Sequence, residues 1–232
     1  MYTFNRQFPH TRLRRLRISD GIREMVRETQ LAPCHLIAPV FVIEGMNQKQ
    51  SIHSMPNVHR YSIDLLIDYV RELYATGVRM IDIFPVIDPK LKTPDGQDAY
   101  HNDTLAVRAV RAIKDAVPQM IVMTDVALDP YTTHGQDGII DESGYVINDI
   151  TTEALIKQTL AHAKAGADII SPSDMMDGRI QAMRQALENG GYVNTAIMAY
   201  SAKYASAYYG PFRDAVGSSG NLKGHKKQYQ MD

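Results

Sequence analysis

Five short apolar runs, each almost unbroken, alternate along this chain with longer segments of helical period. That alternation confines it to parallel strands covered by crossover helices. The runs are residues 36–43, 80–84, 120–125, 168–171 and 196–200. Between them, residues 62–76 place Ile63, Leu66, Ile67, Val70 and Leu73 on one face before Gly77. Residues 103–117 repeat the pattern with Leu105, Ala109, Val110 and Ile113, and Pro118 ends it. Residues 152–165 carry Leu155, Ile156 and Leu160 before Gly166, and residues 178–189 carry Ile180, Met183 and Leu187 before Gly190. These spacings predict helices. Strands without polar alternation are buried on both faces, as in a helix-covered parallel sheet. No Gly-x-Gly-x-x-Gly follows the first run, which argues against a dinucleotide fold. The expected architecture is α/β, a (β/α)8 barrel present as its first five βα units. Such a barrel takes roughly 250 residues, with about 200 as a floor. An N-terminal arm, 1–30, is expected to precede the barrel portion, 31–232. With five units, two parallel edges are expected to lie unpaired, the run 36–43 at one of them, leaving the isolated chain poorly soluble and inactive.

Composition narrows the class further. The 232 residues are 44% hydrophobic and 22% charged, with 25 Lys+Arg against 26 Asp+Glu. That is too apolar and balanced for a disordered chain, and it removes any compositional case for nucleic acid. The single cysteine, Cys34, excludes a disulfide framework and points to a reducing compartment. The longest apolar run, 36–43, is far short of the roughly 20 residues a membrane helix needs. The first ten residues lack the apolar stretch of a signal peptide. A soluble cytoplasmic protein without nucleic-acid or membrane partners is expected. Two segments lie outside the βα pattern. Arg12, Arg14, Arg15 and Arg17 form a basic run, read as a solvated terminus or as an arm that wraps a neighbouring subunit. Residues 217–227 are Gly/Ser-rich and end in His225-Lys226-Lys227, read as a linker or as a lid bringing cations to an anionic substrate.

In a barrel, chemistry gathers just past the C-terminal strand ends. Lys203 follows the fifth run amid Ala, Ser and Tyr. Desolvation there is expected to lower its pKa and free an amine for imine formation, although most lysines are solvated surface groups. Tyr204, Tyr208 and Tyr209 read as core residues. Arg213 suits bidentate capture of a carboxylate, or a structural ion pair. Asp125, Asp129 and Asp137, with His134 among them, offer cation ligands or proton handling, though Asp-Pro and Asp-Gly are also common turn formers. Ser173-Asp174 reads as a helix N-cap.

Taken together, residues 125–138, 171–179 and 200–214 resemble the porphobilinogen synthase (5-aminolaevulinate dehydratase) family in order and spacing. Met175-Met176-Asp177-Gly178-Arg179 and Tyr209-Gly210-Pro211-Phe212-Arg213-Asp214 carry most of the likeness. Met55-Pro56-Asn57-Val58, Arg60-Tyr61 and residues 227–231 extend it over nearly the whole chain. The resemblance implies a TIM barrel with an N-terminal arm, assembled as a homo-oligomer, typically an octamer. It implies a lyase of haem and tetrapyrrole synthesis that condenses two 5-aminolaevulinate molecules into porphobilinogen through lysine Schiff bases, losing two waters. Lys203 matches the first imine lysine, and Asp125 and Ser173 match further catalytic positions. Arg213 and Lys226 match the pair that grips a substrate carboxylate, with Tyr209 and Phe212 beside them. Zinc-using members carry three cysteines where this chain has Ala127, Asp129 and Asp137. Carboxylates suit harder cations, so the resemblance implies a magnesium-responsive branch without active-site zinc. Asp129 and Asp137 are the metal candidates inside the chain, and magnesium is expected to act outside this segment. The family's second imine lysine, in a Met-Val-Lys-Pro-Gly context, has no match in these residues. Two other readings are a single-lysine Schiff-base lyase of the aldolase type and a catalytically incomplete assembly partner.

Overall fold

Residue parity along each strand divides the molecule into an outer and an inner face. The computed structural model describes residues 7–218 and 222–232, so Ser219, Gly220 and Asn221 of the Gly/Ser-rich segment and the first six residues of the arm lie outside it. Two compact units are present, Met1–Ala32 and Pro33–Asp232. In the first, a 3₁₀ turn at Leu13–Arg17 precedes helix α1, Asp20–Met25, whose cap Ser19 accepts a hydrogen bond from Ile22 N. None of its described residues is buried, and Leu13, Ile18, Met25 and Leu31 are exposed.

The second unit holds strands β1 (Ile37–Ile43), β2 (Lys49–Ser51), β3 (His59–Ser62), β4 (Met80–Pro85), β5 (Ile121–Val126), β6 (Ile169–Pro172) and β7 (Ala196–Ile197). Their order in the sheet is β2-β3-β1-β4-β5-β6-β7, parallel except for the β2–β3 pair. Helices α2 (Ile63–Ala75), α3 (Leu105–Ala116), α4 (Asn148–Ala165) and α5 (Arg179–Asn189) follow β3, β4, β5 and β6. Val40, Val42, Ile81, Ile83, Val122 and Ile170 point outward, into one core with Leu66, Val70, Ile113, Leu155 and Leu187 of the helices. The alternate residues Phe41 and Phe84 point inward and form a second cluster with Ile52, Ala215 and Val216. One face of the sheet is thus sealed by helices, and the other carries the chemistry.

The helices end where backbone chemistry requires. Thr104 accepts from Val107 N at the start of α3 (3.2 Å), and Gly166, at φ +105°, closes α4 in a conformation that strains any other residue. α4 begins at Asn148, four residues earlier than its apolar period suggests. Its first turn is polar, and the buried Thr151 hydroxyl takes up Ile139 N at 2.9 Å and donates to Ile147 O at 2.6 Å.

Two expectations are corrected here. The run 36–43 is not an edge: β1 lies between β3 and β4, pairing Phe41 with Arg60 and Phe41 with Phe84. β3 is four residues long and three of them, His59, Arg60 and Ser62, are polar, so its strand character comes from the ladder to β1 rather than from its own composition. The last run is regular strand only over Ala196–Ile197, although Met198 N and Tyr200 N continue bonding to Ile170 O and Pro172 O at 2.9 and 3.2 Å. Among the described residues, no helix is long and apolar enough to cross a membrane.

Candidate active site

The C-terminal ends of β4, β5, β6 and β7 surround a cleft with a cavity volume of about 100 Å³. Phe84 comes from β4, Asp125 from β5, Ser173 from just past β6, and Tyr200 and Lys203 from beyond β7. The far wall is helix α6, Gly210–Ala215, with the preceding Tyr209 and the following Val216; it contributes Phe212 and Arg213. Asp129, Lys226 and Gln230 complete the lining. All the anticipated site residues except Asp137 therefore line one cavity, and Asp137 reaches it through its lysine partners.

Asp137 is the electrostatic centre. It is fully buried, with Lys203 Nζ at 3.2 Å from one carboxylate oxygen and Lys226 Nζ at 3.0 Å from the other. Lys226 also approaches Asp129, at 3.7 Å. Lys203 donates a second hydrogen bond to the Ser173 carbonyl at 2.9 Å. The loop that carries Asp137 is fixed from two sides. A Cβ on Gly138 would lie 2.6 Å from Thr151 Oγ1, so only glycine permits the loop to pack on α4. The C-terminal stretch is stitched to the same loop. Tyr229 donates its hydroxyl to Gln136 Oε1 (2.6 Å) and accepts from Asp137 N (3.1 Å), and Gln230 Nε2 donates to Asp137 Oδ2 (3.3 Å). Met231 and Ala205 then tie the stretch to the Lys203 loop, with Met231 N on Lys203 O at 3.0 Å.

These contacts set the protonation states. Burial alone would raise the Asp137 carboxyl, but the Lys203 and Lys226 ammonium groups outweigh it and hold the group well below the usual carboxylate range. The expected low-pKa amine at Lys203 is overturned. Burial does favour the neutral amine, yet Asp137, with Asp129 and Asp125 behind it, outweighs burial and keeps the lysine protonated beyond the ordinary lysine range. Asp129 is raised, chiefly by burial, against the pull of Lys226. Asp125 is pushed up to about 7 by burial, tempered by Lys203 and the Ser173 hydroxyl. At neutral pH it can therefore either take or give a proton.

A testable consequence follows for Asp125. A carboxyl raised in the folded state favours folding only while protonated, and that advantage is lost as pH rises through its folded value. Asp125→Asn should therefore stabilise the fold by about 4 kcal/mol near pH 8 and approach wild type below about pH 4. Urea unfolding across this range is the measurement; a pH-independent difference would contradict the assignment.

Several residues stand apart from the sequence reading. Ser173-Asp174 caps no helix: Gly178 precedes α5, Asp174 accepts from Met176 N at 2.7 Å and pairs with Arg179 Nε at 3.2 Å, and Ser173 faces the cleft. Tyr204 and Tyr208 are 46% and 85% exposed and so are not core residues; Tyr209 lines the cleft. His134 stays out of the carboxylate group, its Nε2 lying 2.9 Å from Pro94 O. Sequence reasoning missed Phe84, Tyr200, Val216 and Gln230 as lining residues. For Phe84 and Tyr200 the signal was available, since both end predicted strands. It also missed Asp82, a buried carboxyl on the inner face of β4 whose Oδ1 has no hydrogen-bond partner among the described residues.

An amine at one side, a guanidinium on a short helix at the other and an apolar wall of Phe84, Phe212 and Val216 between them suit a small keto acid.

Comparison with known proteins gives a consistent result. Residues 10–232 match the model of the delta-aminolevulinic acid dehydratase family. The delta-aminolevulinic acid dehydratase of Bradyrhizobium diazoefficiens is 48% identical over 221 residues, covering 95% of this chain and 62% of that protein. The Bacillus subtilis protein of the same name is 45% identical over 221 residues, covering 95% of this chain and 67% of that protein. The Toxoplasma gondii enzyme, solved in complex with its reaction product porphobilinogen, superposes with a TM-score of 0.91 at 44% identity, over 96% of this chain and 63% of that one. The chain thus spans about two thirds of the length of these relatives, and its open sheet is part of a (β/α) barrel.

Proposed function

The chain belongs to the delta-aminolevulinic acid dehydratase family, and from that premise we propose that Lys203 forms an imine with 5-aminolaevulinate on the way to porphobilinogen. The observation that carries this reading is the presence of Lys203, Asp125 and Arg213 around one cleft. In the proposed step Arg213 takes the substrate carboxylate, while Phe84 and Phe212 enclose its carbon chain. Lys203 starts as an ammonium, so it first passes a proton to Asp125. The free amine then adds to the keto carbon. Asp125 returns the proton to the carbinolamine hydroxyl, which leaves as water. Ser173 supports this with its carbonyl on Nζ and its hydroxyl on Asp125.

Metal chemistry is read from the donor set. Ala127, Asp129 and Asp137 offer no thiolate, and the Lys226 ammonium already lies against both carboxylates. That set does not fit zinc, which takes N/S-rich closed sites. Magnesium accepts carboxylate and water, and we read it as acting outside the cleft. The exposed apolar residues of the arm, Leu13, Ile18 and Leu31 among them, support a homo-oligomer, an octamer in the full reading.

Borohydride added to a mixture of protein and 5-aminolaevulinate should attach one substrate mass to the peptide holding Lys203. A label on another lysine, with Lys203 unmodified, overturns the reading.

A further inference from the structure

The motif Met55-Pro56-Asn57-Val58 with Arg60-Tyr61 plays no part in the step above, yet it touches the helix that carries Arg213. We propose that residues 52–60 are the seat on which α6 docks as a lid, and that Arg60 is a positioning residue that sets Arg213 against the substrate carboxylate. This rests on the imine reading of the cleft.

α6 is six residues long, and a helix of that length does not hold its shape unaided. Its placement must come from outside. Residues 52–58 form a tight turn, with Ile52 N on Val58 O at 3.2 Å and Asn57 in the left-handed region at φ +68°. From this turn Ser54 donates twice to Asp214 Oδ2, from its backbone N at 3.2 Å and its hydroxyl at 2.5 Å. From β3, Arg60 Nε donates to Ala215 O at 2.7 Å and Nη2 donates to Asp214 O. Those carbonyls belong to the last turn of α6, where helical partners run out and where the dipole favours a cation. Met55 and Val58 pack against the apolar cluster that Phe212 joins, and the Phe212 ring lies 5.5 Å from Phe41 and 4.6 Å from Phe84. Asp214, Ala215 and Phe212 are thus held by the seat. Arg213 stands between them and lines the cleft, which Arg60 does not.

A lid with docked and undocked states binds substrate in proportion to its docked fraction, so weakening the seat lowers apparent affinity and spares the chemical step. The rate of trapped imine at Lys203 is measured against 5-aminolaevulinate concentration. Arg60→Met should raise the half-saturating concentration about tenfold while the maximal rate stays within about twofold. Arg60→Lys, which keeps the charge and one donor, should recover part of the loss. Ser54→Ala, at an exposed position, should raise half-saturation about threefold. In an Arg213→Met background, Arg60→Met should add almost nothing, because the two act through one contact. Unchanged half-saturation in Arg60→Met, or an undiminished effect without Arg213, overturns the proposal. If Arg60→Met fails to fold, an unchanged Ser54→Ala does so. Should wild type trap no imine at Lys203, the imine reading fails by itself. The seat is then judged by tryptic cleavage after Arg213, which must be faster in Ser54→Ala than in wild type; equal rates overturn it.

Discussion

Lys203→Ala is expected to abolish the borohydride-trapped adduct with 5-aminolaevulinate, lowering the yield of trapped imine by about a thousandfold or more. No other lysine replaces it. Lys226, which shares Asp137 with it, is engaged by Asp129 and Asp137. The fold should survive the change, because Asp137 keeps Lys226 and its bond from Gln230. Lys164→Ala, on the exposed side of α4, should trap as wild type does. Intact-mass and peptide mass spectrometry read both results. A full substrate mass retained in Lys203→Ala would remove this lysine from the mechanism.

Asp137→Asn is expected to weaken the fold and change the chemistry in opposite directions. It strips the charge from a buried carboxylate that faces two ammonium groups, leaving both poorly compensated. Breaking such an arrangement costs about 3–5 kcal/mol, or a melting temperature lower by roughly 10 °C for a chain of this size. Removing the carboxylate also removes the largest influence holding Lys203 protonated. The pH profile of imine trapping should therefore move to lower pH by about one unit or more. The stability difference has its own sign. A depressed carboxylate contributes fully above its unfolded pKa, near 3.8, and loses that contribution as pH falls through its folded value. The difference between wild type and variant should stay constant from neutral pH to about pH 5 and narrow in stronger acid. Calorimetry and trapping across pH test both halves; an unchanged profile would show that Asp137 does not govern the lysine.

The outer architecture was legible because local pattern and burial agree there. β4, β5 and β6 are mostly apolar runs, interrupted by Asp82, Thr124, Asp125 and Ser171, and α2, α3 and α5 keep one apolar stripe, so their boundaries fell within one or two residues of expectation. Agreement failed where stability comes from a distant partner. β3 is visible only as the neighbour of β1. The first turn of α4 is polar because Thr151 serves a loop rather than the core. The short α6 has its place only through Ser54 and Arg60.

The site divides in the same way. Its residue types and their positions past strand ends marked Lys203, Asp125 and Arg213, and the resemblance of whole segments tied them to one chemistry. What the amino-acid order determined by itself was therefore the βα frame, the strand ends at which chemistry could sit, and the family. It did not determine the protonation of that chemistry. Lys203 read in isolation is a desolvated lysine inclined to lose its proton; in the folded molecule Asp137, 66 residues away, makes it an ammonium. Only tertiary structure decides such a matter, because the energy of a buried charge depends on the opposite charge brought within a few ångströms, and separation along the chain does not encode that distance.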